Sequence, residues 1–216
     1  MDVAAGLVGL LAGVAVGPLA DRLATNAPRR KPLLSKAQRS PHLPLVTLGT
    51  ALLAGACGLV FGFTLEALTS ALFCWALVVV TRTDLEFRLI PDKIVLPATV
   101  AVLALRTIDD PSVEWILSAL AAGLLLFLIV LAYPRGLGMG DVKLSAFMGA
   151  GLGLSVIPAM FVGFFVAFLP AALLLVRHGR EARKQAIPLG PFLALGAVVA
   201  LFWGSAILDW YKQLAT

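Results

Sequence analysis

The feature that most constrains this chain is the recurrence of apolar runs long enough to cross a bilayer. A spanning helix needs about 17–25 mainly apolar residues to cover ~30 Å of hydrocarbon. Eight stretches approach that requirement: residues 4–20, 43–63, 65–83, 89–106, 113–133, 143–155, 156–176 and 187–208. The sixth is short and carries Gly149, Gly151 and Gly153, so its boundary with the seventh is soft. Small residues of that kind suit close helix packing, because they let backbones approach. Composition agrees with the runs. Of 216 residues, 60% are hydrophobic and 13% charged, against about 25% charged in a typical soluble domain. So few charges would leave large apolar patches facing water. A soluble enzyme, a disordered chain and a nucleic-acid module are therefore excluded. The expectation is an all-α polytopic membrane protein of about eight transmembrane helices. Asp2 is the only early charge, so the first run does not read as a cleaved secretory signal.

The basic residues orient these runs. Alternating crossings leave four connections on one side, residues 21–42, 82–93, 134–143 and 177–186, which hold 15 of the 17 Lys and Arg residues. Only Arg106 and Lys212 fall elsewhere. The opposite face carries Asp2, Glu66, Asp109, Asp110, Glu114 and Asp209. By the positive-inside rule the four basic connections are cytoplasmic and both termini lie outside. The net charge of +5 thus reads as topology, with a smaller attraction to anionic lipid headgroups of the bilayer. Cys57 and Cys74 lie in separate apolar runs, so neither a disulfide scaffold nor a cysteine zinc site is expected.

Two aspartates stand out. Asp84 follows the apolar run 72–80 and opens Asp84-Leu85-Glu86-Phe87-Arg88-Leu89-Ile90-Pro91-Asp92. Asp141 closes Gly136-Leu137-Gly138-Met139-Gly140-Asp141 and begins the next helix at Val142-Lys143-Leu144. Ionisable groups at membrane depth are costly, and their default reading is functional. The plain alternative for each is a helix N-cap beside a Gly or Pro turn; it accounts poorly for two in these settings on one face. The fourth and fifth runs separate them, and an even number of crossings returns the chain to the same side. If the two carboxylates meet, they cannot both ionise easily and share a proton. The ionised member would take a proton from water as that water attacks a peptide carbonyl, and the protonated member would polarise the carbonyl oxygen. Gly138 and Gly140 would supply backbone angles closed to other residues and let an extended substrate approach. A helix starting at Asp141 would aim its positive end at that carboxylate. Pro91 can start a helix, since its missing N–H is not needed there.

These residues resemble the bacterial type IV prepilin peptidases, intramembrane aspartic proteases of the GxGD type. Asp84 is followed eight residues later by the Asp of Ile90-Pro91-Asp92, and then by Gly138-Met139-Gly140-Asp141-Val142-Lys143-Leu144. Residues 187–196, Ile-Pro-Leu-Gly-Pro-Phe-Leu-Ala-Leu-Gly, look like the family's start to its last helix. The resemblance covers about residues 65–208. It implies that Asp84 and Asp141 form the catalytic pair, with no cofactor and no metal. The implied reaction removes a short basic leader from prepilins or pseudopilins at the cytoplasmic edge of a bacterial inner membrane. Asp92 would serve as a turn or cap, and Lys143 as a charge partner or lipid anchor. The chain then divides into an N-terminal two-helix part, residues 1–64, with the basic loop 21–42, and a peptidase core, residues 65–216.

One departure from the family's pattern is informative. Bifunctional members carry two Cys-x-x-Cys pairs that hold zinc in the first cytoplasmic loop, as part of an N-methyltransferase. Residues 21–42 contain no Cys, so the expectation is a minimal, peptidase-only form. A signal-peptide-peptidase-like enzyme would pair its GxGD with Tyr-Asp and Pro-Ala-Leu; here Thr83 precedes Asp84, and Pro170 is followed by Ala171-Ala172. A proton- or cation-coupled transporter would place its charges near the bilayer midplane, whereas these aspartates sit at helix ends. A non-catalytic scaffold is the remaining alternative.

Overall fold

The computed structural model describes residues 1–28, 40–133, 136–178 and 187–215. Among them are eight α-helices and no strand: α1 Val3–Asn26, α2 Leu43–Phe61, α3 Leu65–Phe87, α4 Asp92–Asp109, α5 Glu114–Ala132, α6 Met139–Leu152, α7 Val156–His178 and α8 Gly190–Ala215. A single 3₁₀ turn, Gly153–Ser155, joins α6 to α7. Six helical segments are long and apolar enough to cross a membrane, α6 and α7 counting as one; α4 is not among them. Within its 18 residues α4 carries Asp92, Lys93, Arg106 and Asp109, which lowers its apolar content. The protein is thus an all-helical, multi-pass membrane protein.

Local chemistry sets the helix starts. The Asp2 side chain accepts hydrogen bonds from the Ala4 and Ala5 N–H groups, and Thr64 Oγ1 accepts from the Ala67 N–H. Each satisfies N–H groups that have no partner inside the helix. Pro91 stands immediately before α4. Several boundaries differ from the sequence reading, and two of them concern the aspartates. α3 continues to Phe87, so Asp84 lies inside its last turn. α6 begins at Met139 rather than at Asp141, so Asp141 is its third residue. The physical reason is that the Asp141 carboxylate reaches back to cap the Gly138 N–H.

The helices alternate in direction, and their ends sort into two groups. At the far end, the Asp2 N–H donates to the Leu59 carbonyl, Phe61 stacks on Phe202, and Arg106 reaches Glu66, Ser70 and Gly151. At the near end, Ala27, Pro28, Asp84, Asp92 and Asp141 line one cavity, and Gly190 touches Asp84. The main core runs between these ends. Phe73, Leu77 and Val80 of α3 pack with Val95 and Val102 of α4, Leu126 of α5, Leu144, Phe147 and Met148 of α6, and Leu193 and Ala197 of α8. A smaller cluster joins Ala20 and Ala24 of α1 to Val46, Val79 and Ile94. Outward faces stay apolar: Leu120, Leu124 and Leu128 of α5 and Phe161, Phe165 and Phe168 of α7 are exposed. That surface suits lipid and would be a liability in water.

Close approach through small residues holds the helices together. Along α1 and α2, a Cβ added at Gly9, Gly13, Gly17 or Gly58 would overlap the neighbouring helix. Gly149 of α6 lies against α5, where its Cβ would come 2.6 Å from the Ser118 carbonyl carbon and 2.7 Å from Ala119 Cα. Backbone atoms cannot swing aside as a side-chain tip can. Gly149→Val is therefore expected to separate α5 from α6 at a cost of about 1–3 kcal/mol. The check is thermal unfolding of the detergent-solubilised protein; an unchanged midpoint would refute this account of the α5–α6 contact.

Candidate active site

Asp84 sits on α3, three residues before the helix ends, and is buried. The helix stops because Arg88 takes a left-handed conformation, φ 51° and ψ 42°, while its N–H donates to the Asp84 carbonyl at 2.9 Å. The carboxylate faces the start of α8. The Gly190 N–H donates to Asp84 Oδ2 at 2.8 Å. Gly190 is the first residue of α8, so this N–H is one of the unpartnered donors of a helix N-terminus. A Cβ at Gly190 would come 2.8 Å from Oδ2 and 3.1 Å from Cγ of Asp84. Only glycine lets the carboxylate reach the backbone here.

Asp141 has the corresponding arrangement on α6. The Gly138 N–H donates to Asp141 Oδ2 at 3.0 Å, and the Asp141 N–H donates back to the Gly138 carbonyl at 3.1 Å. Each aspartate thus takes one backbone N–H at the positive end of a helix, where a negative charge is favoured. Both line a single cavity of about 460 Å³, with Arg88, Lys93 and Pro91 also in its wall. The structure therefore brings together the two carboxylates that the sequence placed on one face. Among the described residues, no hydrogen bond engages Oδ1 of either one, leaving an acceptor on each for water or a peptide group.

The glycines differ from expectation in their reason for being there. Neither Gly138 nor Gly140 takes a positive φ; Gly138 is extended at φ −95°, ψ 155°, which other residues adopt as well. Gly140 is constrained by space instead, since its Cβ would meet Ile90 Cβ at 3.0 Å. Both line the cavity. Asp92 is the first residue of α4, and its Oδ2 lies 2.7 Å from Lys143 Nζ, an ion pair that bridges α4 and α6 at the cavity's edge. Arg82 is engaged elsewhere, by Glu86 and by Ser40 Oγ at 3.2 Å. Gly190 was legible in sequence as part of a motif, but nothing there assigned it to Asp84, 106 residues away.

Two carboxylates facing one cavity at the end of a helical membrane bundle are an arrangement able to activate water, as aspartic hydrolases do. Comparison with known proteins narrows that class. The type IV leader peptidase family matches residues 71–176. The prepilin leader peptidase/N-methyltransferase of Bacillus subtilis (strain 168) is 35% identical over 178 residues, covering 80% of this chain and 70% of that protein. The protein of the same name from Aeromonas hydrophila is 32% identical over 185 residues, 82% of this chain and 63% of its own. The one from Pseudomonas aeruginosa is 32% identical over 189 residues, 83% and 64% respectively. The chain thus spans about two thirds of the length of these relatives. No solved structure matches it. The chain belongs to the type IV leader peptidase family.

Two substitutions probe this geometry. Gly190→Ala should push the Asp84 carboxylate off the α8 N-terminus and lower turnover at least ~10-fold, with the solubilised protein still folded. Full turnover in a leader-cleavage assay would show that the contact is dispensable. The Asp92–Lys143 pair is partly exposed, so a double-mutant cycle with Asp92→Asn and Lys143→Met should give a coupling below ~1 kcal/mol. A larger coupling would mark the pair as part of the machinery itself.

Proposed function

We propose that this protein is a prepilin leader peptidase in which Asp84 and Asp141 activate water against the scissile peptide bond. The observation that carries the reading is the meeting of these two carboxylates on one cavity, each held by one backbone N–H. In the reaction the pair holds a single proton. The ionised aspartate removes a proton from water as the oxygen attacks the carbonyl carbon, and the protonated partner donates a hydrogen bond to the carbonyl oxygen. The tetrahedral adduct then collapses, its C–N bond breaks, and a proton from the pair passes to the leaving amine. Two helix N-termini favour the negative charge of the pair throughout. Nothing in this sequence of steps calls for a metal or cofactor.

The substrates we assign are type IV prepilins or pseudopilins, whose basic leader precedes an apolar helix. The same topology makes the near end cytoplasmic, with eight crossings, both termini outside, and the enzyme in the bacterial inner membrane. Support comes from the basic connections, which join helix ends near the cavity, and from the positive-inside rule. Residues 1–64 then form a two-helix part beside a peptidase core of residues 65–216. The proposed activity is cleavage alone, since residues 21–42 lack the Cys-x-x-Cys pairs expected of a zinc-holding methyltransferase part. A transporter or another GxGD protease is less well supported, because the aspartates lie at helix ends and the relatives are named as prepilin leader peptidases.

The decisive experiment is leader cleavage by purified variants in detergent or vesicles. Asp84→Asn and Asp141→Asn should each reduce cleavage by several orders of magnitude while inserting and purifying normally. Turnover of the unaltered enzyme should fall at both low and high pH, since the pair must hold one proton. A chelator should leave activity intact. Retained cleavage by either variant would remove the dyad, and a chelator loss restored by zinc would replace it with a metal. A cysteine at Leu137 should label from the cytoplasmic side only; labelling from outside would overturn the orientation.

A further inference from the structure

We infer that Arg106 is a positioning residue for the aspartate pair: from the opposite end of the bundle it fixes α3, α4 and α6 against one another, and so sets the separation of Asp84 from Asp141. The inference deepens the peptidase reading above and rests on it.

Arg106 is one of two basic residues outside the four basic connections, and it is buried. A buried guanidinium in an apolar bundle is costly unless its donors are satisfied. Here three are spread over two helices. Nε donates to the Gly151 carbonyl of α6 at 3.1 Å, Nη2 to Ser70 Oγ of α3 at 3.3 Å, and Nη1 lies 3.5 Å from Glu66 Oε1 of α3. The guanidinium also sits over the Trp115 ring of α5, 5.1 Å from its centroid. Gly151 O is one of the last carbonyls of α6, which have no acceptor role inside the helix. Two further contacts hold that helix end. The Leu154 N–H donates to Glu114 Oε1 at 2.9 Å, and a Cβ at Gly151 would overlap the Phe73 ring.

The helices gripped here are those whose other ends form the cavity. Asp84 lies fourteen residues along α3 from Ser70, Asp92 fourteen along α4 from Arg106, and Asp141 ten along α6 from Gly151. At 1.5 Å per residue these spans are about 21, 21 and 15 Å. Near the cavity, α3 and α6 share no hydrogen bond between the two carboxylates; each is held by its own glycine N–H. A slip of α6 by one residue would move Asp141 by about 1.5 Å and turn it by about 100°. A misplacement near 1 Å can cost about 100-fold in rate.

The test separates positioning from mere stability. Nitroxide labels on cysteines at Leu85 of α3 and Met139 of α6, both exposed, report the near-end separation in a Cys57→Ala/Cys74→Ala background. Arg106→Leu should shift or broaden that distance distribution, lower kcat about 100-fold with KM within about two-fold, and narrow the pH range between the two limbs of the rate profile. Arg106→Lys, which keeps a cation but not the fork, should fall between. An unchanged distance distribution with unchanged kcat per folded molecule, and only a lower melting midpoint, would overturn the inference. Should Arg106→Leu fail to fold, the distance distribution of Arg106→Lys decides in the same way. The label distance needs no turnover, so a failure of the Asp84→Asn and Asp141→Asn tests would sink the catalytic reading, while an unchanged label distance in Arg106→Leu would sink the positioning role alone.

Discussion

A carboxylate at the end of a membrane helix needs a partner, and here the partner is the start of another helix. The Gly190 N–H on Asp84 and the Gly138 N–H on Asp141 each pair a negative group with the positive end of a backbone dipole. Such a partner carries no net charge and cannot rotate away, so it steadies a carboxylate while one oxygen remains open to the cavity. The contact also dictates architecture. Because α8 must begin against the last turn of α3, Gly190 has to lack a side chain, and Pro191 follows where a missing N–H does no harm. An ion pair with Lys or Arg would hold each aspartate more tightly, yet it would occupy the acceptors that the proposed chemistry needs.

Scarcity of charge follows from the same arrangement. Buried charges are few: Arg82 pairs with Glu86 and Arg106 with Glu66 and Ser70, while Asp21 Oδ1 is buried with no hydrogen-bond partner among the described residues. The rest of the bundle is held by shape. Glycine stripes bring α1 onto α2 and α6 onto α5, and Phe73 stacks on Phe147 with ring centroids 4.8 Å apart. Lipid offers no hydrophobic drive between helices, so such close approach does the work that a dry core does in water.

Much of this was legible in the sequence. Runs of apolar residues announced most of the helices, because one-dimensional hydropathy is what a bilayer selects, but six helical segments and not eight are long and apolar enough to cross, α4 not among them. Asp84 and Asp141 stood out since ionisable groups at membrane depth are rare, and parity of crossings placed them on one face. Three things were hidden. Helix boundaries near the aspartates moved by up to four residues, because side-chain capping by Asp141 and the left-handed turn at Arg88 outweigh hydropathy there. Neither Gly138 nor Gly140 has the unusual torsions expected; Gly140 is instead required by space against Ile90. The contact of Gly190 with Asp84 joins residues 106 apart, and no periodicity in one sequence encodes so distant a pairing.

The two ends of the bundle are built differently. The near end, where the proposed function has a peptide enter, has sparse contacts: single N–H donors and a partly exposed ion pair. Such contacts are individually weak, of order 1 kcal/mol each, and would let helix ends drift if they acted alone. At the far end several contacts act at once, around a cavity of about 440 Å³ lined by Glu66, Arg106, Glu114 and Trp115: Gly151 against Phe73, Glu114 on the Leu154 N–H and Arg106 spanning α3, α4 and α6. A helix is stiff along its axis, so register fixed at one end is delivered to the other. Accuracy at the near-end site can in this way be supplied from the opposite end of the bundle.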